Sequence, residues 1–239
     1  MARHLLIRLS SPLIAFGGET IDNFGVIRDF PALSMVTGLI ANALGWDRAD
    51  DRAHNRLQAR LRIGTRLEVE GSRLTDFQTA QLGAGDKGWT TWGTPEGRNG
   101  GPASYDSPHL RYRDYHADLT ALVALRLEPV DEAPTLDDIA AALDRPKRPL
   151  FIGRKPCLPT ARLFSGWMEA ETVLQALERV PIPEGGQGLK AQWPDGEGNL
   201  AGDRVLDLCD ERNWTSGVHG GWRPVREGVL RAWRGNDEY

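Results

Sequence analysis

Residues 148–164, RPLFIGRKPCLPTARLF, set an apolar run against a glycine, two adjacent cations and a series of prolines. From Arg145 to Arg162 the chain carries six basic side chains and no acidic one. Gly153 directly precedes Arg154 and Lys155, and glycine lets a ligand come close to the main chain. Neighbouring main-chain N–H groups then serve phosphate oxygens, while Arg and Lys supply countercharge. A plain basic surface loop has the same composition, so both readings stand at this level. A second cluster, Arg52, Arg56, Arg60, Arg62, Arg66 and Arg73, is spread over a helix end and a strand. Its simple alternative is a solvated face.

Other chemistry-bearing residues are sparser. His109 and His116 flank LRYRDY, which holds Tyr112 and Tyr115. Such a cluster has the groups for general acid–base chemistry, although histidines seven apart near a strand need not meet. There is no HExxH or HxH spacing, no phosphate loop of the GxxxxGKS or GxxxxGKT type, and no GxGxxG at a strand–helix junction. FSGW at 164–167 lacks the glycines of a nucleophile elbow. Asp50-Asp51 and Asp137-Asp138 read as solvated helix-end charges. Cys157 and Cys209 form no CxxC pair, so neither a disulfide framework nor a cysteine zinc site is expected, and a reducing cytoplasm is the natural setting. No metal and no cofactor is expected. Trp89, Trp92, Tyr105, Tyr112 and Tyr115 lie on or beside the Gly/Pro/Ser/Thr-rich stretch 83–108. Aromatic faces beside basic groups are the usual grip on single-stranded RNA.

The elements that must position these residues follow from periodicity. HLLIRL (4–9) reads as a buried strand ended by Ser10-Ser11-Pro12. Met35, Val36, Leu39, Ile40, Ala43 and Leu44 recur at helical spacing, with Ser34 as N-cap and Gly45 at the end. Residues 57–70 alternate as a strand or strand pair, with Gly64 as a bulge, and RLTDFQTAQL offers a partner. ADLTALVALRLEP is a strand, and TLDDIAAALDRP a helix with Thr135 and Asp138 at capping-box spacing. PLFIG is read as the last core strand, followed by a helix over 167–180. Strand, helix, strand, strand, helix, strand is the order of a ferredoxin-like α+β domain. The 83–108 arm interrupts it.

Composition bounds the rest. A chain of 239 residues with 40% hydrophobic content builds its core without staples. A formal charge of −4 argues against indiscriminate nucleic-acid binding. A local site remains open, because screening limits each patch to about 10 Å. No apolar stretch approaches the roughly 18 residues of a membrane span, and Arg8 with the Ser-Ser-Pro turn breaks any secretory-signal pattern.

Five segments, in order across residues 4–164, resemble the CasD subunit family of the type I-E CRISPR Cascade complex. They are HLLIRLSSPLIAFG, FPALSMVTGLIANALGW, LTDFQTA, YRDYHADLTALVAL and RPLFIGRKPCLPTARLF. The resemblance implies a ferredoxin-like (RRM/RAMP) core over 1–165 with a protruding thumb hairpin at about 76–113. An irregular C-terminal extension, 166–239, would pack on that core. It further implies a cytoplasmic, non-catalytic subunit that binds the 5′ handle of the CRISPR RNA, caps the backbone filament and touches the large subunit, with target DNA reached only through the complex. On that basis Ser34 and Thr37 would hold phosphate at a helix N-terminus, with Arg28 nearby. Arg73, Arg113, Arg148, Gly153, Arg154, Lys155 and Cys157 complete the implied RNA contacts. Asp76, Gln78, Trp89, Trp92, Tyr105 and Tyr112 are the implied thumb and partner contacts. The alternative is a metal-independent endoribonuclease of CRISPR repeat RNA, with Tyr115, His116 and Lys155 in the catalytic roles. A protein-interaction module with an acidic partner is the third reading.

Overall fold

The computed structural model describes residues 1–81, 87, 108–182 and 188–231. Strands β1 (Ala2–Ser10), β2 (Leu13–Ile14), β3 (Gly17–Ile21) and β4 (Phe24–Ile27) lead into helices α1 (Leu33–Leu44) and α2 (Asp51–Arg60). β5 (Leu61–Val69), β6 (Ser72–Ala80), β7 (His109–Ala117) and β8 (Thr120–Leu127) follow, then α3 (Leu136–Asp144), β9 (Phe164–Ala170) and α4 (Val173–Arg179). β10 (Leu189–Pro194), β11 (Arg204–Leu208), β12 (Glu211–Arg212), β13 (His219–Gly220) and β14 (Arg223–Leu230) complete the described chain.

The result is a sheet-rich α+β molecule. A seven-stranded sheet runs in the order β11-β14-β10-β5-β8-β1-β9. β1 lies antiparallel between β8 and β9, and β5 pairs antiparallel with the other edge of β8. Both faces are covered, which explains why β1 and β8 read as nearly continuous apolar runs. Leu5, Ile7 and Leu9, with Val123 and Leu125, pack toward α1 and α3. Leu6, Leu122 and Ala124 point the other way, into a core built with α4 and Trp193. The capping box at Thr135–Asp138 starts α3, and Gly45, in the left-handed region at φ 78°, ends α1.

Several expectations need correction. The N-cap of α1 is Ala32, with no side-chain bond, and Ser34 is already inside the helix. PLFIG is not a strand. Prolines deny it ladder donors and Gly153 turns the backbone at φ 88°, so Phe164–Ala170 takes the place beside β1. That strand uses residues assigned to a helix and crosses the 165/166 division, and the helix shortens to Val173–Arg179 behind Thr172. α2 went unread because its buried face, His54, Leu57, Gln58 and Arg60, is mostly polar. Gly64 sits in regular register opposite Ala124, and the irregularity falls between Leu67 and Val69. β6 pairs with β7 rather than β5.

Candidate nucleic-acid interface

The chain leaves β5, turns at Gly71 and projects away as β6. It returns as β7, which also pairs antiparallel with β2 and parallel with β4. β6 is almost wholly exposed. Alternation along a strand sends neighbours to opposite faces, so this small sheet has two distinct surfaces. On one, Phe77 and Phe24 flank Tyr112 from the two sides. Phe24 stacks on Tyr112 with centroids 4.9 Å apart and planes 10° from parallel, and Phe77 tilts against the same ring at 5.2 Å. Phe24 and Phe77 are 51% and 54% exposed. An isolated fold gains nothing by leaving these rings wet.

The opposite surface is cationic. Arg111, Arg113 and Tyr115 share it, and the Arg154 guanidinium lies 4.9 Å over the Tyr115 ring. Arg154 also donates to the carbonyls of Asp114 and Gly25 at 2.7 and 2.8 Å. A Cβ on Gly25 would lie 2.9 Å from both Arg113 Nη1 and Arg154 Nη2. Two guanidinium groups therefore converge over Gly25, and among the described residues neither is ion-paired with a carboxylate. Lys155, the next residue, is exposed. Like charges drawn together without a counterion are stabilised when an anion arrives.

The other sequence-derived residues are distributed unevenly. Asp76 and Gln78 sit opposite Arg113 and Arg111 on β6. Arg73 is on β6 too, but pairs with Asp29. Beside it a cleft of about 480 Å³ contains Lys190 paired with Glu70 and Arg204 paired with Glu227, so its cations are neutralised. Arg28 is tied to Glu19 and to the Cys209 carbonyl. Arg148 lies at the far end of α1, bound to the Trp46 carbonyl, away from β7. Trp89, Trp92 and Tyr105 lie outside the described residues.

Four of the implied RNA contacts are engaged within the protein itself. Thr37 is fully buried and its hydroxyl donates to the Leu33 carbonyl at 2.8 Å. Ser34 is buried, and the α1 N-terminus is already occupied: Leu33 N–H donates to the Asp210 carboxylate and Ser34 N–H to the Asp210 carbonyl. Arg223 grips that carboxylate with two nitrogens, so the protein supplies its own anion there. Cys157 is fully buried, and burial pushes its thiol pKa up. A Cβ on Gly153 would sit 1.7 Å from the Ala15 carbonyl oxygen, so this glycine admits the protein's own backbone rather than a ligand.

The second arginine cluster is divided, with Arg52, Arg56 and Arg73 exposed and two of its members inside the fold. Arg60 and Arg66 are essentially fully buried. Arg60 donates to the carbonyls of Pro129, Glu132, Ala133 and Pro134. Arg66 closes the end of α4 through the Leu177, Val180 and Pro181 carbonyls. The acid–base candidates do not converge. Tyr115 and His116 are buried neighbours on opposite faces of β7. His116 Nε2 contacts the Arg28 carbonyl at 2.8 Å, and burial holds its pKa below the usual imidazole value.

Phe24 and Phe77 are the residues that sequence reasoning missed. Phe77 had a usable signal, since it alternates within LTDFQTA. Phe24 had none, because its loop context hides a strand.

Fold and surface together define a class: a sheet-rich α+β protein carrying a projecting hairpin with aromatic and cationic faces suited to a single-stranded polyanion. The family model described as CRISPR-associated protein (Cas_Cas5) matches residues 4–226, and the chain belongs to that family. It is 27% identical over 177 residues to the CRISPR system Cascade subunit CasD of Escherichia coli (strain K12), covering 74% of this chain and 76% of that protein. Among solved structures, a chain of a CRISPR RNA-guided surveillance complex superimposes with a TM-score of 0.73 at 24% identity, over 96% of this chain and 90% of that one. A crystal structure of a Cas protein gives a TM-score of 0.61 at 26% identity, with 95% of each chain covered.

Proposed function

We propose that this chain is a non-catalytic, cytoplasmic subunit of a type I-E CRISPR RNA-guided surveillance complex that holds the 5′ handle of the CRISPR RNA. The observation that carries the reading is the two-sided β7. Arg113 and Arg154 converge over Gly25 on one face, and Phe24, Tyr112 and Phe77 stack on the other. Phosphates would meet the cationic side, with Arg111 and Lys155 adding charge, while splayed bases stack on the rings. Asp76 and Gln78 offer hydrogen bonds to a base edge or to a neighbouring subunit.

The β5-β8-β1-β9 order with α1 and α3 on one face supports the reading of a ferredoxin-like (RAMP) core. In this reading the β6–β7 hairpin is the base of the thumb, about 76–113. It contacts the neighbouring backbone subunit where the chain caps the filament. In this reading the core would take in the whole of β9 rather than end at 165, with β10, β11 and β14 in the C-terminal extension. The buried, divergent Tyr115 and His116 favour RNA holding over RNA cleavage.

The test is direct. Incubate the purified protein with CRISPR repeat RNA in EDTA, and resolve bound and cleaved RNA on native and denaturing gels. Bound, intact RNA is the expected result. Cleavage at one site, lost in His116→Ala, contradicts the non-catalytic reading, and no binding contradicts RNA holding.

A further inference from the structure

A trough of about 560 Å³ runs along α3, from Pro134 before the helix to Arg145 after it. Its floor is apolar: Leu44 and Trp46 at the end of α1, and Ala141 and Ala142 on α3. Small side chains on α3 keep the groove open between two packed helices, and its volume accommodates the anchor side chains of one incoming element. None of its lining belongs to the β7 surface.

Its charges are arranged unequally. Asp138, at one end, is spent internally, since its carboxylate accepts from both Thr135 N–H and the Thr135 hydroxyl. Two carboxylates nearby are also engaged, Asp144 by Arg162 and Asp137 by Arg3. At the other end Arg145 and Lys147 are exposed, and neither is ion-paired among the described residues. Lys147 is held in place there, because its side chain lies across Gly45, where an added Cβ would come within 2.6 Å of it. An apolar channel with unneutralised positive charge at one end complements an amphipathic segment bearing acidic residues at one end. Nucleic acid fits less well. The floor offers no stacked exposed rings, since Trp46 is half-buried with its ring against His54, and the cations do not follow the channel.

We propose that the α1–α3 trough is a docking site for an acidic amphipathic helix of another protein subunit, laid against α3 with its apolar anchors on Leu44, Trp46 and Ala142 and its carboxylates on Arg145 and Lys147. This rests on the surveillance-complex reading for the existence of that subunit, but the site is separate from the RNA surface.

The experiment uses the assembled complex, purified through a tag on this chain, with each protein subunit and the RNA quantified separately. Ala141→Trp fills the trough from an exposed position, and Arg145→Glu with Lys147→Glu reverses its charge. Both variants should lower the recovery of the same protein subunit about tenfold, as expected for a contact weakened by a factor of ten at limiting concentration. RNA recovery should be unchanged, and Arg145→Lys should keep the subunit. Melting curves of the isolated variants check that they fold. Wild-type recovery of every protein subunit in both folded variants overturns the proposal. Loss of RNA with all proteins retained also overturns it, making nucleic acid the occupant. A wild-type chain that brings down neither RNA nor protein removes the complex reading itself, and this inference with it.

Discussion

Gly25 and Gly153 are glycines for opposite reasons. At Gly153 the backbone is left-handed at φ 88°, and any Cβ would overlap the Ala15 carbonyl at 1.7 Å. At Gly25 a Cβ meets only the flexible ends of Arg113 and Arg154, each at 2.9 Å. Gly153→Ala should therefore cost about 2–4 kcal/mol, measured by chemical denaturation, through backbone strain and displacement of the β2 region. Gly25→Ala should leave stability within about 1 kcal/mol while spreading the two guanidiniums and weakening RNA binding several-fold. The sequence flags Gly153 as a position of close approach, but what approaches is Ala15, more than a hundred residues earlier in the chain. The same limit applies to charge. Arg60 and Arg66 look like surface cations in sequence, yet their guanidiniums satisfy carbonyls of distant loops. Composition cannot distinguish an arginine that meets solvent from one that closes a helix end.

At the scale of elements, periodicity was readable where packing is regular. α1, α3, β1 and β8 each bury a face with its own period, so their apolar residues mark them. β9 was hidden because Ser165, Gly166 and Glu169 dilute its pattern and its identity comes from pairing with β1. The β6–β7 hairpin was half legible. Both strands alternate, but the long stretch between them conceals that they pair, and only that pairing sets Phe77 opposite Tyr112. The hairpin's aromatic face is where the element acts as a unit. Phe77→Ala with Tyr112→Ala removes two rings from an exposed sheet that contributes little to the core. RNA affinity should fall about tenfold or more, since each stacked base contributes about 1–3 kcal/mol. The melting temperature should change little, and a filter-binding titration beside a melting curve reads both. The α1 N-terminus illustrates the reverse case. Ser34 and Thr37 fit a phosphate-binding helix start by residue type, but Asp210, brought in by β11 and β14, already fills it. Nothing near residue 34 in sequence announces a carboxylate so far along the chain.

Across the whole molecule, positive and negative groups are interspersed and nearly balanced. The chain is acidic, at a formal −4, and several exposed cations, among them Arg3, Arg73, Arg162, Lys190 and Arg204, are held in ion pairs with carboxylates. The family match over residues 4–226 and the superposition over 96% of the chain extend well past the first 164 residues, where the recognisable sequence segments end. The C-terminal part was opaque because its strands are short and separated by Gly/Pro-rich loops, while β10 and β14 gain their place by lengthening the main sheet. With the net charge opposing a polyanion, the proposed RNA binding rests on locally unneutralised cations, here Arg111, Arg113, Arg154 and Lys155 around β7. That makes the salt dependence of RNA binding the most direct measurement. The slope of log Kobs against log salt counts the phosphates neutralised, at about −0.7 per contact for a single strand. Arg111→Ala, Arg113→Ala and Lys155→Ala combined should flatten the wild-type slope by about two units and weaken binding at low salt. An unchanged slope and affinity in that triple variant would contradict the claim that this surface holds the RNA.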